Sequence, residues 1–245
     1  MRIFDAHCHI GQGFGYSATA EGLLKEMDAC GVERAAVVPA DRQIAVANKE
    51  GNDEVLKAAR EHPDRLTAFC TVNPWYGEDA LEEMRRAFGA GAAGLKLHPV
   101  LQGFSIIDPV ARPVVELAVG LGKPVYFHTG TPVCSTPFQL SELCLQSPSG
   151  IFIMGHAAYS DYWNDVVAAA KCAPNMFIET STHLPLVVRL LADELGTGRL
   201  VYGSNYPLNQ MALEIEKITR YLAAAPDIDR LFYGNIERIL KGERP

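Results

Sequence analysis

No stretch of the 245-residue chain approaches the ~20 uninterrupted apolar residues of a membrane-spanning helix. There is no basic excess either. Lys and Arg number 22 against 29 Asp and Glu, a formal charge of −7, which argues against a nucleic-acid or anionic-membrane partner, since both select for a basic patch. The six cysteines (Cys8, Cys30, Cys70, Cys134, Cys144, Cys172) contain no C-x-x-C pair. They read as reduced, mostly buried thiols rather than a disulfide framework. The first ten residues, MRIFDAHCHI, put Asp5, His7 and His9 where a secretory leader needs an unbroken apolar core, so a cytoplasmic location is expected. Low-complexity segments, Ser/Gly linkers and charge blocks are all missing, and a single domain over residues 1–245 is expected. At 48% apolar and 21% charged, the composition excludes wholesale disorder.

What the chain does have is alternation. Eight short apolar runs occupy residues 3–8, 34–39, 66–72, 93–98, 124–128, 151–156, 176–180 and 200–203. Between them lie segments such as AEGLLKEMDAC, GEDALEEMRRAFGA and ALEIEKITRYLAAA, apolar at i, i+3, i+4 with charges opposite, as in amphipathic helices. Gly31, Gly91, Gly122 and Gly196 stand where helix ends take left-handed caps. Strict strand–helix alternation with near-continuously apolar strands implies a parallel sheet covered by helices. Eight repeats in about this length predict an α/β fold, a closed (β/α)8 TIM barrel with a C-terminal helix. The turn GQGFGYSA matches a dinucleotide fingerprint only loosely, and an open nucleotide-binding sheet is rejected.

The chemistry collects at the ends of the runs. With a side-chain period of two, Asp5, His7 and His9 are expected on one face and Cys8 on the other. His98, His128 and His156 end the fourth, fifth and sixth runs, so five of the seven histidines aim at the C-terminal mouth, where barrel active sites are built. One such histidine would read as structural; the constellation reads as a metal site. Lys96 shares a face with His98, and is balanced between an ion pair with Asp5 or Glu179 and a role at the mouth. Glu179 ends the seventh run and reads as a structural hydrogen-bond partner or a stand-in carboxylate. Arg42, in the stretch PADRQ, is a candidate clamp for a substrate carboxylate as well as an ordinary exposed arginine. His183 is a candidate substrate contact in a mouth loop. Trp75, Tyr76, Tyr159 and Trp163 either wall the pocket or pack loops onto the rim.

The ordered set DAHCHI, GLKLHP, YFHTG, GHAAYSD, YGSNYP and the closing YGNIERIL resembles the metal-dependent hydrolases of the amidohydrolase superfamily, in particular the amidohydrolase-2 branch, over nearly the whole chain. The resemblance implies a divalent metal, zinc foremost, on His7, His9 and His128. It implies His156 as the histidine that polarises substrate or shuttles a proton, and places Lys96 where some relatives carry a carbamylated lysine bridging two metals. The expected activity is hydrolysis of an amide, lactone or ester of a small molecule by metal-activated water. Non-oxidative decarboxylation or hydration of an aromatic or unsaturated acid is the alternative, and a barrel without activity the third. The partner is a small molecule, with a homo-oligomer left open. One position departs from the pattern: Asn205 stands where the branch usually has an aspartate that binds the metal and takes a proton. An amide is neutral and no base.

Overall fold

The computed structural model describes residues 1–223, 225 and 227–245, with the side chains of Ser160 and Asp161, the last two residues of GHAAYSD, outside the described set. Among the described residues nine strands form one sheet: β1 (Phe4–Gln12), β2 (Ser17–Ala18), β3 (Arg34–Pro39), β4 (Leu66–Cys70), β5 (Gly94–Leu97), β6 (Val125–His128), β7 (Phe152–Gly155), β8 (Met176–Glu179) and β9 (Leu200–Val201). All neighbouring pairs from β1–β3 through β8–β9 are parallel. The ninth strand is an addition to the eight expected: the two residues of β2 fold back antiparallel on the end of β1. The sheet closes where the stretch after β9 meets β1. Ala6 N–H donates to Tyr202 O at 2.9 Å, Asn205 N–H to His7 O at 2.9 Å and His9 N–H to Tyr206 O at 2.7 Å, so the architecture is the expected barrel.

Eleven α-helices stand among the described residues: α1 (Ala20–Cys30), α2 (Asp41–Ala45), α3 (Asn48–Glu61), α4 (Glu78–Gly89), α5 (Pro99–Gln102), α6 (Arg112–Gly120), α7 (Pro137–Gln146), α8 (Tyr159–Cys172), α9 (Pro185–Leu195), α10 (Met211–Tyr221) and α11 (Asn235–Leu240). Their limits follow local chemistry. Thr19 caps α1 through the Gly22 N–H and Gly31 ends it at φ 69°. Thr136 and Gln139 form a reciprocal capping box on α7, with Pro137 in its first turn. None of the described helices is long and apolar enough to cross a membrane.

Two apolar layers result. The outer one joins strands to helices and includes Ile3, Cys8, Ile10, Leu23, Val37 and Leu95. The inner one fills the barrel with Phe4, Ala6, Ala36, Val38, Phe69, Ile153, Phe177 and Val201. Tyr233, Ile236 and Ile239 join this inner cluster, so the C-terminal helix plugs the end of the barrel where the strands begin. Polar side chains are left for the opposite mouth.

Candidate active site

The alternation expected along β1 fails at one point. Asp5 pairs with Ala35 but Cys8 with Val37, so β1 carries a bulge and its side-chain period slips. Phe4 and Ala6 therefore face the interior while Ile3, Cys8 and Ile10 face the helices. Asp5 does not share the face of His7 and His9, as a strict period of two requires. Its carboxylate accepts from Ser204 N–H and His7 N–H at 3.0 Å each and braces the barrel seam. Burial, the dominant influence, raises its pKa to about 7.

The bulge delivers His7 and His9 into the mouth, where the strand ends bring the other histidines. Ring centroids lie 4.7 Å apart for His7 and His9, 5.1 Å for His7 and His156, 4.6 Å for His128 and His156, and 3.7 Å for the stacked pair His98 and His128. All five rings belong to one continuous cluster. Burial, foremost, and the charge of Lys96 hold His7, His98, His128 and His156 well below the ordinary imidazole pKa, and burial brings His9 to about 4. The rings are neutral at physiological pH and keep their lone pairs.

Lys96 is not paired with Asp5 or Glu179. Its Nζ lies 3.0 Å from His7 Nε2 and 3.8 Å above the Tyr126 ring centroid. Glu179 is a hub beneath the histidines. One oxygen accepts from Ser181 N–H; the other accepts from Tyr126 Oη–H at 2.6 Å, Ser181 Oγ–H at 3.0 Å and His156 N–H at 3.1 Å. Two glycines leave room for it. A Cβ on Gly203 would lie 2.5 Å from Glu179 Oε1, and one on Gly155 2.4 Å from Tyr126 Oη. Glu179 Oε2 is 3.9 Å from His7 Nδ1 and 3.8 Å from His156 Nδ1. With both rings neutral and a hydroxyl on each Nδ1, these approaches are not ion pairs.

These donors fit a cation. Ligand atoms of His7, His156 and Glu179 fall within 4.8 Å of one another. However, the Nδ1 edges facing Glu179 are already hydrogen-bonded, to Tyr126 Oη (3.1 Å) and Ser181 Oγ (2.8 Å). The carboxylate therefore supports the site; of the opposite edges, His7 Nε2 lies 3.0 Å from Lys96 Nζ and His156 Nε2 is the free one. His9 Nδ1 lies 2.9 Å from Pro39 O, which can only accept. The proton is thus on Nδ1 and the lone pair on Nε2, the usual arrangement of a metal-binding histidine. His156 Nε2 is buried with no hydrogen-bond partner, an orphaned acceptor of the kind that a cation or substrate proton satisfies.

The remaining candidates divide. Asn205 is buried at the mouth with φ 59°, its side chain beside His9. Arg42 lies in the short helix α2 rather than a loop and is exposed. His183 has both ring nitrogens committed: Nδ1 accepts from Leu184 N–H at 2.8 Å, and Nε2 is 3.1 Å from Tyr159 O. It braces the turn 156–159, in which His156, Ala157, Ala158 and Tyr159 all have positive φ, from 43° to 63°. Tyr159 stacks on His156 at 4.6 Å and walls the site; Trp163 packs against the outer core. Trp75 and Tyr76 are exposed, tied by hydrogen bonds to Gly103 O and Val46 O. Tyr126 and Ser181 escape a reading that seeks metal-type ligands. Their signal is proximity: Tyr126 lies two residues from His128 on one face of β6, and Ser181 lies two residues past Glu179, in the turn that follows β8.

The amidohydrolase family model, that of the amidohydrolase-2 branch, matches residues 4–242. Comparison with curated proteins finds no match. Among solved structures, the chain is similar to 5-carboxyvanillate decarboxylase from Sphingomonas paucimobilis (TM-score 0.74, 16% identity, covering 98% of this chain and 99% of that one). It is similar to a probable 2-pyrone-4,6-dicarboxylic acid hydrolase from Acinetobacter baumannii with citric acid bound (0.73, 15%, 98% and 100%). A third is a dihydroxybenzoic acid decarboxylase from a Polaromonas species with bound manganese and 2-nitroresorcinol (0.75, 14%, 98% and 96%). At these identities the likeness establishes the fold, and the family model, spanning nearly every residue of the barrel and its mouth, establishes the lineage: the chain belongs to the amidohydrolase-2 family.

Proposed function

We propose that the protein is a metal-dependent hydrolase that cleaves a C–N or C–O bond of a small anionic molecule, with residues 1–245 acting as one domain in the cytoplasm. His7, His9 and His128 would hold the cation, zinc being the natural choice for an all-imidazole set. The cation supplies Lewis acidity toward a substrate carbonyl. The neutral amide of Asn205 leaves the mouth one carboxylate short, which favours an anionic substrate; the nearby Asp41 accepts from Tyr16 Oη–H. The observation that carries the hydrolytic reading is His156. Its Nε2 is unpartnered and buried, and its Nδ1 rests on Ser181 Oγ, which rests on Glu179. A neutral imidazole backed in this way takes a proton from attacking water at Nε2 and returns it to the leaving group. Tyr159, stacked on the ring, shields that exchange from bulk water.

A decarboxylase is the second reading, and Asn205 favours it. Loss of a carboxylate of like charge suits a substrate that must present its own carboxylate to the cation. Two measurements decide. Metal analysis is expected to find a bound divalent ion that the His7→Ala/His9→Ala variant loses, and full retention in that variant would overturn the ligand assignment. A screen of lactones, amides and aromatic acids in heavy-oxygen water is expected to put solvent oxygen into the product; carbon dioxide release without it would favour decarboxylation. His156→Asn, which tolerates the left-handed backbone, is expected to lower turnover by ~10²–10⁴-fold.

A further inference from the structure

Two hydroxyls connect one carboxylate to two of the site's imidazoles, and the direction of each hydrogen bond can be worked out. Glu179 accepts from four donors, which suits an ionised carboxylate that has only acceptor capacity. Tyr126 has a single hydroxyl proton, and it goes to Glu179 Oε2 at 2.6 Å. Toward His7 Nδ1, 3.1 Å away, the tyrosine oxygen can then only accept. Ser181 repeats the arrangement, with its proton to Glu179 at 3.0 Å and its oxygen to His156 Nδ1 at 2.8 Å. Both rings must therefore carry their proton on Nδ1. The opposite edges are compatible with this: His156 Nε2 faces no partner, and His7 Nε2 lies 3.0 Å from Lys96 Nζ, an amine that can donate to it and that burial holds well below the ordinary lysine pKa.

We infer that Glu179 is a positioning residue that fixes the tautomer of two histidines at once, through Tyr126 for His7 and through Ser181 for His156, so that both present an Nε2 lone pair to the mouth. In water the neutral imidazole prefers the opposite form, with the proton on Nε2, so the fold works against an intrinsic bias and has to be built to do so. Gly155 and Gly203 are part of that construction, since a methyl group on either would displace the Tyr126 hydroxyl or the Glu179 carboxylate. His9 reaches the same tautomer independently through Pro39 O. Outer partners of this kind orient metal-binding imidazoles and raise their basicity.

The test is nitrogen NMR of metal-free protein with labelled histidine, which reads tautomers directly and does not depend on the reaction proposed above. In the wild type, His7, His9 and His156 are expected to show the Nδ1–H pattern. Ser181→Ala removes the hydroxyl that accepts from His156 Nδ1–H and leaves Glu179 Oε2 at 3.8 Å, beyond hydrogen-bond reach, so the two ring nitrogens of His156 are expected to exchange their shifts while His7 and His9 stay put. His7 is held from both edges, so Tyr126→Phe alone is expected to leave its tautomer in place, and Tyr126→Phe/Lys96→Met to reverse it. Glu179→Leu is expected to turn the Ser181 proton toward His156 and reverse that ring; the hydroxyl variants carry the test if this one does not fold. An unmoved His156 in Ser181→Ala would overturn the inference. So would a wild type in which either His7 or His156 is Nε2–H. Turnover or metal binding that fails in every protein while the tautomers respond as stated would overturn the proposed function and leave this inference standing.

Discussion

Replacing Asn205 with Asp adds one buried negative charge and almost no volume. The backbone tolerates it: φ is 59°, a region that Asn and Asp both visit, and the position's N–H to His7 O at 2.9 Å is a main-chain contact that the swap does not touch. The consequences are electrostatic. At an effective dielectric of about 20, a carboxylate and a cation 4 Å apart attract by ~4 kcal/mol per unit charge. Desolvating the carboxylate consumes a large part of this. A net gain of ~1.5–3 kcal/mol is expected, a cation bound roughly 10–100-fold more tightly. In metal-free protein the new charge sits against His9, the neighbour of Asn205's side chain, and should lift that ring's pKa from its value of about 4. Competition against a chromogenic chelator reads the metal affinity, and an anionic inhibitor titrated into the loaded enzyme should bind more weakly, because one unit of positive charge has been cancelled. Hydrolytic turnover should rise. Unchanged metal affinity together with unchanged inhibitor affinity would refute the reasoning, because no charge in the mouth can be added without moving one of them.

His183 has its pKa lowered to about 4 by burial, against 6.5 in the unfolded chain. Between those values only the unfolded state gains a proton, so stability is complete above about pH 7 and falls as pH drops from 6.5 toward 4. Screening at the rim reduces the ideal figure to ~1–2 kcal/mol. Since the five mouth histidines cost stability in the same direction, His183→Gln should make the decline shallower by that amount without abolishing it. If both proteins lose stability in parallel, the assignment fails. Gly203→Ala would put a Cβ 2.5 Å from Glu179 Oε1, and Gly155→Ala one 2.4 Å from Tyr126 Oη. Each should cost ~1–3 kcal/mol in urea unfolding, and a loss under 0.5 kcal/mol would mean the hub is not rigid.

The barrel was readable because every strand that builds it is a short apolar run closed by a polar or glycine-rich turn, and because the helices between them keep their charges on one face. The details that escaped are tertiary in origin. Strand β2 is two residues long and exists only as a partner to the end of β1. The slip between Asp5 and Cys8 leaves no mark in a sequence of alternating side chains, yet it decides that Asp5 serves the seam and not the mouth. The left-handed turn 156–159 is the sharpest case. Alanine has no preference for positive φ, and a run of such residues costs roughly 1–2 kcal/mol each. The turn holds because distant groups hold it: Glu179 takes the His156 N–H, His183 approaches the Tyr159 carbonyl, and Gly130 leaves the space a Cβ would take from Ala158.

The same distinction explains why the histidines were legible as a site while the residues that prepare them were not. An imidazole at a strand end is conspicuous because core packing rarely asks for one, and five together have no packing explanation. A tyrosine or a serine at a strand end has many uses, and only its bond geometry reveals which applies. In this barrel Tyr126 and Ser181 place no chemistry of their own in the mouth. They pass the demand of one buried carboxylate to two rings, and in doing so determine which nitrogen each ring exposes. A net charge of −7 therefore says little about the site. Glu179 is consumed internally by four donors and position 205 is an amide. What remains at the mouth is a set of neutral lone pairs beside Lys96, with Asp41 close enough to act on His9 and Lys96, a lining that recruits positive charge first and anions after it.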